Sequence, residues 1–158
     1  MKKQHNYSAT IEWTGNKGKG TSNYKEYERS HKISINNKPT ILCSSDPAFL
    51  GDKTKYNPEE LLLASLSSCH MLWYLHLCSE SNIIVTKYID NTTGIMSTKP
   101  NGSGYFSEVS LNPIVIVSEN SMIEKANELH KKANGLCFIA NSVNFKVFHN
   151  PSCLIEVK

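Results

Sequence analysis

Asn57-Pro58-Glu59-Glu60-Leu61-Leu62-Leu63-Ala64-Ser65-Leu66-Ser67-Ser68-Cys69-His70-Met71-Leu72-Trp73-Tyr74-Leu75 reads as the start and body of one long helix with a thiol in its middle. Asn57 is a strong N-cap residue, Pro58 suits the first helical position, and Glu60 three residues after the cap completes a variant capping box. Tyr56 and Leu61 occupy the two positions of a hydrophobic staple, and Glu59 places negative charge at the positive end of the helix dipole. The pattern predicts a helix over 58–79 with no wide polar face, hence one buried on most sides. Cys69 then sits among apolar neighbours, where burial raises a thiol's pKa and suppresses the reactive thiolate. A working thiol at this position needs a compensating partner.

Residues 61–78 contain no Asp, Glu, Lys or Arg, the length and composition of a membrane span. Ser65, Ser67, Ser68, His70 and His76 interrupt the run, Ser79 follows it, and amphipathic sequence surrounds it, so a central helix of a soluble domain is the better reading. Met1-Lys2-Lys3-Gln4-His5-Asn6 leads into strand-like sequence with no apolar stretch of the kind that opens a secretory signal, and a cytoplasmic location is expected, with no membrane partner. A chain of 158 residues with 39% hydrophobic residues suits one domain with its own core, taken as 1–158. A net charge of +3 from scattered lysines, without a basic run, excludes a nucleic-acid footprint. Cys43, Cys69, Cys78, Cys137 and Cys153 are odd in number, widely spaced and free of a CxxC pair, which does not describe a secreted disulfide framework.

Arg29 is the single arginine among 17 basic Lys and Arg residues. A lysine- and asparagine-rich composition explains the lysines without explaining the arginine that remains. Guanidinium keeps its charge in buried places and grips carboxylates with two parallel hydrogen bonds, which lysine does poorly. Strands are expected over 6–14, 30–36 and 39–44, the last two joined by a tight turn at Asn36-Asn37. Gly15-Asn16-Lys17-Gly18-Lys19-Gly20 is a loop that matches neither phosphate-binding glycine pattern. After the helix, 83–96 and 105–117 read as two long strands around a turn at Pro100-Asn101-Gly102-Ser103-Gly104. A second helix over 121–133, capped by Ser121 with Glu124 at its third position, ends at Gly135 just before Cys137, and a strand or hairpin fills 144–157. The class is α+β.

The helix-start motif Asn57-Pro58-Glu59-Glu60-Leu61-Leu62, with Cys69 ten residues after Glu59 and Cys137 just after a later helix, resembles the OsmC/Ohr family of thiol peroxidases, in a less characterised OsmC-like branch. Tyr27-Glu28-Arg29-Ser30-His31 and the closing strand fall where that family would have them. The resemblance implies an OsmC-like fold of mainly antiparallel sheets around a long cysteine-bearing helix, assembled as an intertwined homodimer with two sites at the subunit interface. It implies reduction of organic hydroperoxides or hydrogen peroxide without a cofactor. Cys69 would be the peroxidatic cysteine, Cys137 the resolving one, and Arg29 with Glu59 the polar pair that organises the site. A dithiol, on a lipoyl-type protein or thioredoxin, would regenerate the enzyme. Phe138 stands where members commonly carry proline after the second cysteine, and His70-Met71-Leu72-Trp73 is bulkier than the alkyl-hydroperoxide subgroup has.

Glu59 and Cys69 are ten residues apart on one helix, about 15 Å along its axis, too far for one arginine to hold both comfortably. If Arg29 touches both, they belong to different subunits related by a two-fold axis. Trp73 lies one turn after Cys69 and, with Leu66 and Phe138, is a candidate lining for a substrate pocket. His70 points about 100° away from Cys69 and is expected to pack or bond elsewhere rather than serve as its base. Two other readings use the same residues. One is a non-catalytic OsmC-like domain that binds an apolar ligand at the dimer interface. The other is a metal site of Cys69, His70, His76 and Cys78, whose directions around a helix do not converge; no metal is expected.

Overall fold

The computed structural model describes residues 3–156 and divides the chain into two compact units, Met1–Leu61 and Leu62–Lys158. The first unit holds a three-stranded antiparallel sheet, β1 (Thr10–Trp13), β2 (His31–Ser34) and β3 (Ile41–Cys43), in that spatial order. The register aligns Ile11, Ile33 and Ile41 on one face, next to Trp13, His31 and Cys43. Each strand is shorter than its pattern predicts. The β2–β3 turn does fall at Asn36-Asn37: Lys38 N–H donates to the Ile35 carbonyl at 3.1 Å, and Asn37 takes the left-handed φ of 60° that asparagine tolerates.

Helix α1 (Pro58–Glu80) starts where its caps place it. Glu60 N–H donates to Asn57 Oδ1 at 2.8 Å and Asn57 N–H donates to Glu60 Oε2 at 3.1 Å, a reciprocal capping box. Tyr56 does not act as the staple: its side chain is 59% exposed, and its backbone is what anchors the helix entry, bridging to Cys43 and accepting from Ser44 N–H at 2.9 Å. α1 is long and apolar enough to cross a membrane by length and composition alone. It buries one face, Leu66, His70, Tyr74, Leu77 and Cys78, at steps of three and four residues. The expectation of burial on most sides is corrected, because the opposite strip of Ala64, Ser68, Leu72, His76 and Ser79 is exposed within this chain.

In the second unit the two predicted long strands each break into two. β4 (Val85–Asp90) and β5 (Thr93–Thr98) come from one, β6 (Gly104–Leu111) and β7 (Pro113–Val117) from the other. The terminal segment divides in the same way into β8 (Lys146–His149) and β9 (Ser152–Ile155), which are not a hairpin but lie in different sheets. The result is two three-stranded sheets, β4-β7-β9 and β5-β6-β8. Four of the six pairings are antiparallel, as expected, and β7–β9 and β6–β8 pair in parallel.

The breaks are at one level, and a polar row seals them. Asp90 accepts from Asn112 N–H at 2.7 Å and from Ser67 Oγ–H of α1 at 2.6 Å. Asn112 Nδ2 donates to the Asn91 carbonyl at 2.9 Å, and Asn150 Nδ2 donates to Asn112 Oδ1 at 3.1 Å. Pro113 and Pro151 follow the asparagines directly, and proline disfavours a regular continuation through the residue before it.

Helix α2 (Ile123–Leu136) follows a single 3-10 turn, Asn120–Met122. That turn displaces the expected Ser121 cap: Met122 N–H already bonds the Glu119 carbonyl at 3.1 Å, and the Ser121 hydroxyl reaches back to Glu119. Gly135 lies inside the last turn, so the helix ends at Cys137 rather than before Gly135. One core packs Tyr74, Leu77 and Cys78 against Val115, Val117, Cys153 and the α2 residues Ala126, Leu129 and Ala133. A second gathers Leu66 with Val109 and Leu111. α1 thus contributes to the cores of both sheets, and Cys69 and His70 fall between the two contributions. Removing the Asp90 carboxyl leaves two donors without their acceptor, so Asp90→Ala is expected to lower the unfolding free energy by about 2 kcal/mol in urea titrations.

Candidate functional site: a half-exposed thiol on a buried one

Cys69 and Cys137 both lie in the second unit, close enough for the Cys69 side chain to act on the Cys137 thiol. Cys69 is at the margin of the buried face of α1 and is half-buried rather than enclosed, which corrects the expectation of a thiol buried among apolar neighbours. Cys137 is the C-cap of α2, with extended backbone (φ −66°, ψ 112°), and is 1% exposed. All five cysteines are free thiols. Burial, followed by a hydrogen bond with the Cys69 side chain, pushes the Cys137 thiol up to about 11; the backbone amides of Ala140 and Ile139 pull the other way. The Ala140 amide lies 3.4 Å from Cys137 Sγ. Cys137 is therefore a protonated thiol at neutral pH, beside two amides able to steady a sulfur anion once its proton has gone.

Two aromatic residues flank the pair. Trp73, one turn beyond Cys69, meets Phe138 edge to face, with ring centroids 5.7 Å apart at 88°. Phe138 is 68% exposed, so Trp73 and Phe138 give this part of the surface an apolar lip. Leu66 is fully buried in the second core and offers no surface to a ligand. Its place in the pocket is corrected: the α1 face that carries it is the one packed on β6.

Arg29 and Glu59 lie in the first unit. Gly15 allows the chain around Arg29 to close, since a Cβ there would lie 1.9 Å from the Glu28 carbonyl oxygen. The Arg29 guanidinium is held between the Tyr24 and Tyr27 rings, 4.2 Å from each centroid, and donates to the Tyr24 and Tyr27 carbonyls at 2.6 and 2.5 Å. Among the described residues neither Arg29 nor Glu59 takes part in an ion pair, and Glu59 Oε2 is a buried acceptor without a partner. An arginine with N–H groups to spare and a carboxylate with an unused oxygen are complementary, and among the described residues no ion pair joins them.

His70 turns away from Cys69 into the interior, where its Nε2 lies 3.0 Å from His130 Nδ1 of α2. Burial drives both imidazoles well below the ordinary histidine range, helped in each case by neighbouring histidine charge, so both are neutral at pH 7. The pair could not be foreseen from sequence, because 60 residues separate the partners and each is a lone histidine on an apolar helix face. Among the described residues no three His, Cys, Asp or Glu side chains converge as a metal site would require.

The fold defines a class of small α+β proteins with one cysteine on a long helix and a second at the end of another. A family model described as OsmC-like protein matches residues 51–150. An OsmC-like protein of Vibrio cholerae superposes with a TM-score of 0.84 at 31% identity, over 94% of this chain and 100% of that one. This chain belongs to the OsmC-like family. An OsmC-like protein of Mycoplasma pneumoniae shares the fold at 18% identity and a TM-score of 0.72, over 98% of this chain and 100% of that one. An organic hydroperoxide resistance protein of Elizabethkingia anophelis does so at 18% and 0.70, over 99% and 100%. No curated protein matches the chain.

The histidine pair sets a pH dependence of stability. Folded-state pKa values lie below the unfolded value of about 6.5, so the unfolded chain gains protons first as pH falls. Stability is complete above about pH 6.5 and declines below it, by up to about 1.4 kcal/mol per pH unit for each histidine. Urea midpoints measured from pH 7.5 to 5 are expected to fall, and to fall less steeply in His70→Gln/His130→Asn.

Proposed function

We propose that the protein is a cysteine-based hydroperoxide reductase. The observation that carries this reading is the unequal burial of two neighbouring cysteines: Cys69 is half-buried on α1, and Cys137 is fully buried at the end of α2, where burial first and the Cys69 side chain second raise its thiol pKa. Cys69 thiolate attacks one peroxide oxygen; the O–O bond breaks, the other oxygen leaves with a proton as alcohol or water, and Cys69 becomes a sulfenic acid. Cys137 then attacks that sulfur, a disulfide forms, and the sulfenic oxygen departs as water. Two thiols are oxidised and one peroxide is reduced. An external dithiol, lipoyl-type or thioredoxin, returns both cysteines to thiols in a cytoplasmic setting.

The unequal burial of the two sulfurs supports this division of labour. Peroxide meets Cys69 first, and Cys137 is sheltered from overoxidation until an S–OH group is beside it. The Trp73–Phe138 lip favours an organic hydroperoxide over hydrogen peroxide, because an alkyl or aryl group gains apolar contact there. Arg29 hydrogen-bonds the peroxide in this reading, and Glu59 fixes the guanidinium with its free oxygen. If one Arg29 serves both Glu59 and Cys69, their spacing assigns them to different subunits, and the reading is a homodimer with the exposed, uncharged strip of α1 covered by the second copy. The hydroperoxide resistance protein of E. anophelis, alike in fold, supports the reaction class.

Assays with cumene hydroperoxide and a lipoyl or thioredoxin reductant test the reading. Cys69→Ser is expected to lose turnover, and Cys137→Ser to consume one equivalent of peroxide and stop. Arg29→Lys should slow the first step about tenfold, since its fork of donors is lost. Full activity in Cys69→Ser would sink the mechanism, and unreactive thiols in the wild type would point to the apolar-ligand binder instead.

A further inference from the structure

His70 directly follows Cys69 in α1, and His130 precedes Cys137 by seven residues, two turns along the same face of α2. The Nε2–Nδ1 hydrogen bond of 3.0 Å therefore ties the two helices close to both sulfurs. It is a buried side-chain hydrogen bond between α1 and the body of α2. The rings are nearly parallel, 8° apart. His130 is further fixed by stacking on Tyr74 at 3.8 Å, and its Nε2 lies 3.9 Å from Cys153 Sγ. His70 has its other nitrogen, Nδ1, buried without a partner. Burying two imidazoles with one nitrogen unsatisfied costs stability that two leucines would not. What leucines cannot supply is direction: apolar packing tolerates sliding and rotation, whereas a hydrogen bond between two rings with little rotamer freedom fixes one helix against the other.

We propose that the His70–His130 hydrogen bond is a positioning clamp that holds Cys137 against Cys69, so that closure of the disulfide depends on it while attack on the peroxide does not. The inference rests on the peroxidase reading for its biological setting. In the closing step the Cys137 sulfur attacks the Cys69 sulfenyl sulfur; the S–S bond forms, the S–O bond breaks, and the oxygen leaves as water with the proton shed by Cys137. This step needs sulfur placed against sulfur along the line of the breaking bond, so a small shift of α2 against α1 slows it severely. The first step uses Cys69 alone and is insensitive to where α2 ends. His70 and His130 touch neither peroxide nor sulfenate, and their role is positional.

The test separates the two steps in full-length, reduced protein. His130→Leu keeps an apolar side chain without the bond; His130→Asn keeps an amide close to the Nδ1 position. With one equivalent of cumene hydroperoxide, sulfenate formation, followed by trapping with dimedone, is expected to stay within about twofold of wild type. Disulfide closure should slow at least tenfold in His130→Leu, with more sulfenate trapped, and recover largely in His130→Asn. A parallel arm oxidises the dithiol with diamide, which takes up two electrons and two protons and needs no peroxide chemistry. A wild type that ignores peroxide but closes under diamide overturns the peroxidase reading, and the clamp is then judged on the diamide rates alone. Unchanged closure in folded His130→Leu, or equal slowing of both steps, overturns the clamp. If His130→Leu does not fold, His130→Gln, whose amide is one methylene further out, replaces it with the same expected loss.

Discussion

The second unit depends on one carboxyl group. Asp90 ends β4, accepts from the Asn112 amide where the neighbouring strand breaks, and accepts from Ser67 on α1. Without such a partner the interrupted ladders at Asn91, Asn112 and Asn150 would leave backbone groups unpaired beneath a helix, which is expensive in a core. With it, one residue joins the bend of the strands to the height of the helix. Ser67 is two residues from Cys69, so the same interaction sets the level at which the thiol emerges.

From that level the site's chemistry follows by burial. α1 sends Leu66 into one core and Tyr74, Leu77 and Cys78 into the other, and between them it leaves Cys69 at the edge of its packed face. α2 ends against this edge, and the extended backbone of its cap carries Cys137 inward. Two like side chains thereby acquire unlike environments, one reached by solvent and the other enclosed, with a thiol held above its usual range. No special residue type is needed for the difference; position along two helices suffices.

The sequence made the helix legible because its signals are local: Asn57, Pro58 and Glu60 specify their own start within four residues, and the capping box forms as those residues require. The two cysteines were singled out through resemblance rather than through periodicity. The strand breaks were not, since an alternating pattern runs through Asn91 and Asn112 unchanged, and only pairing with distant segments shows that each strand changes sheet there. Parallel pairing of the C-terminal segment is equally non-local. Tyr24 and Tyr27 could have been suspected as partners of Arg29 from their nearness in sequence, but their rings alone do not announce a cage. The inward turn of His70 follows from helix geometry, whereas its partner does not.

Burial of those histidines also constrains the reaction. An imidazolium next to a cysteine is a familiar way to favour thiolate, and His70 is adjacent to Cys69 in the chain. Desolvation keeps it and His130 neutral at pH 7, so this part of α1 brings no positive charge to the sulfur. Asp90 is nearby with the opposite sign. Arg29 differs in kind, because a guanidinium keeps its charge where a buried imidazole does not. Its cage of two tyrosine rings and two carbonyls leaves N–H groups free for a carboxylate, a thiolate or a peroxide. The neutral histidines therefore carry hydrogen bonding rather than charge, and the single arginine keeps its charge between two aromatic rings.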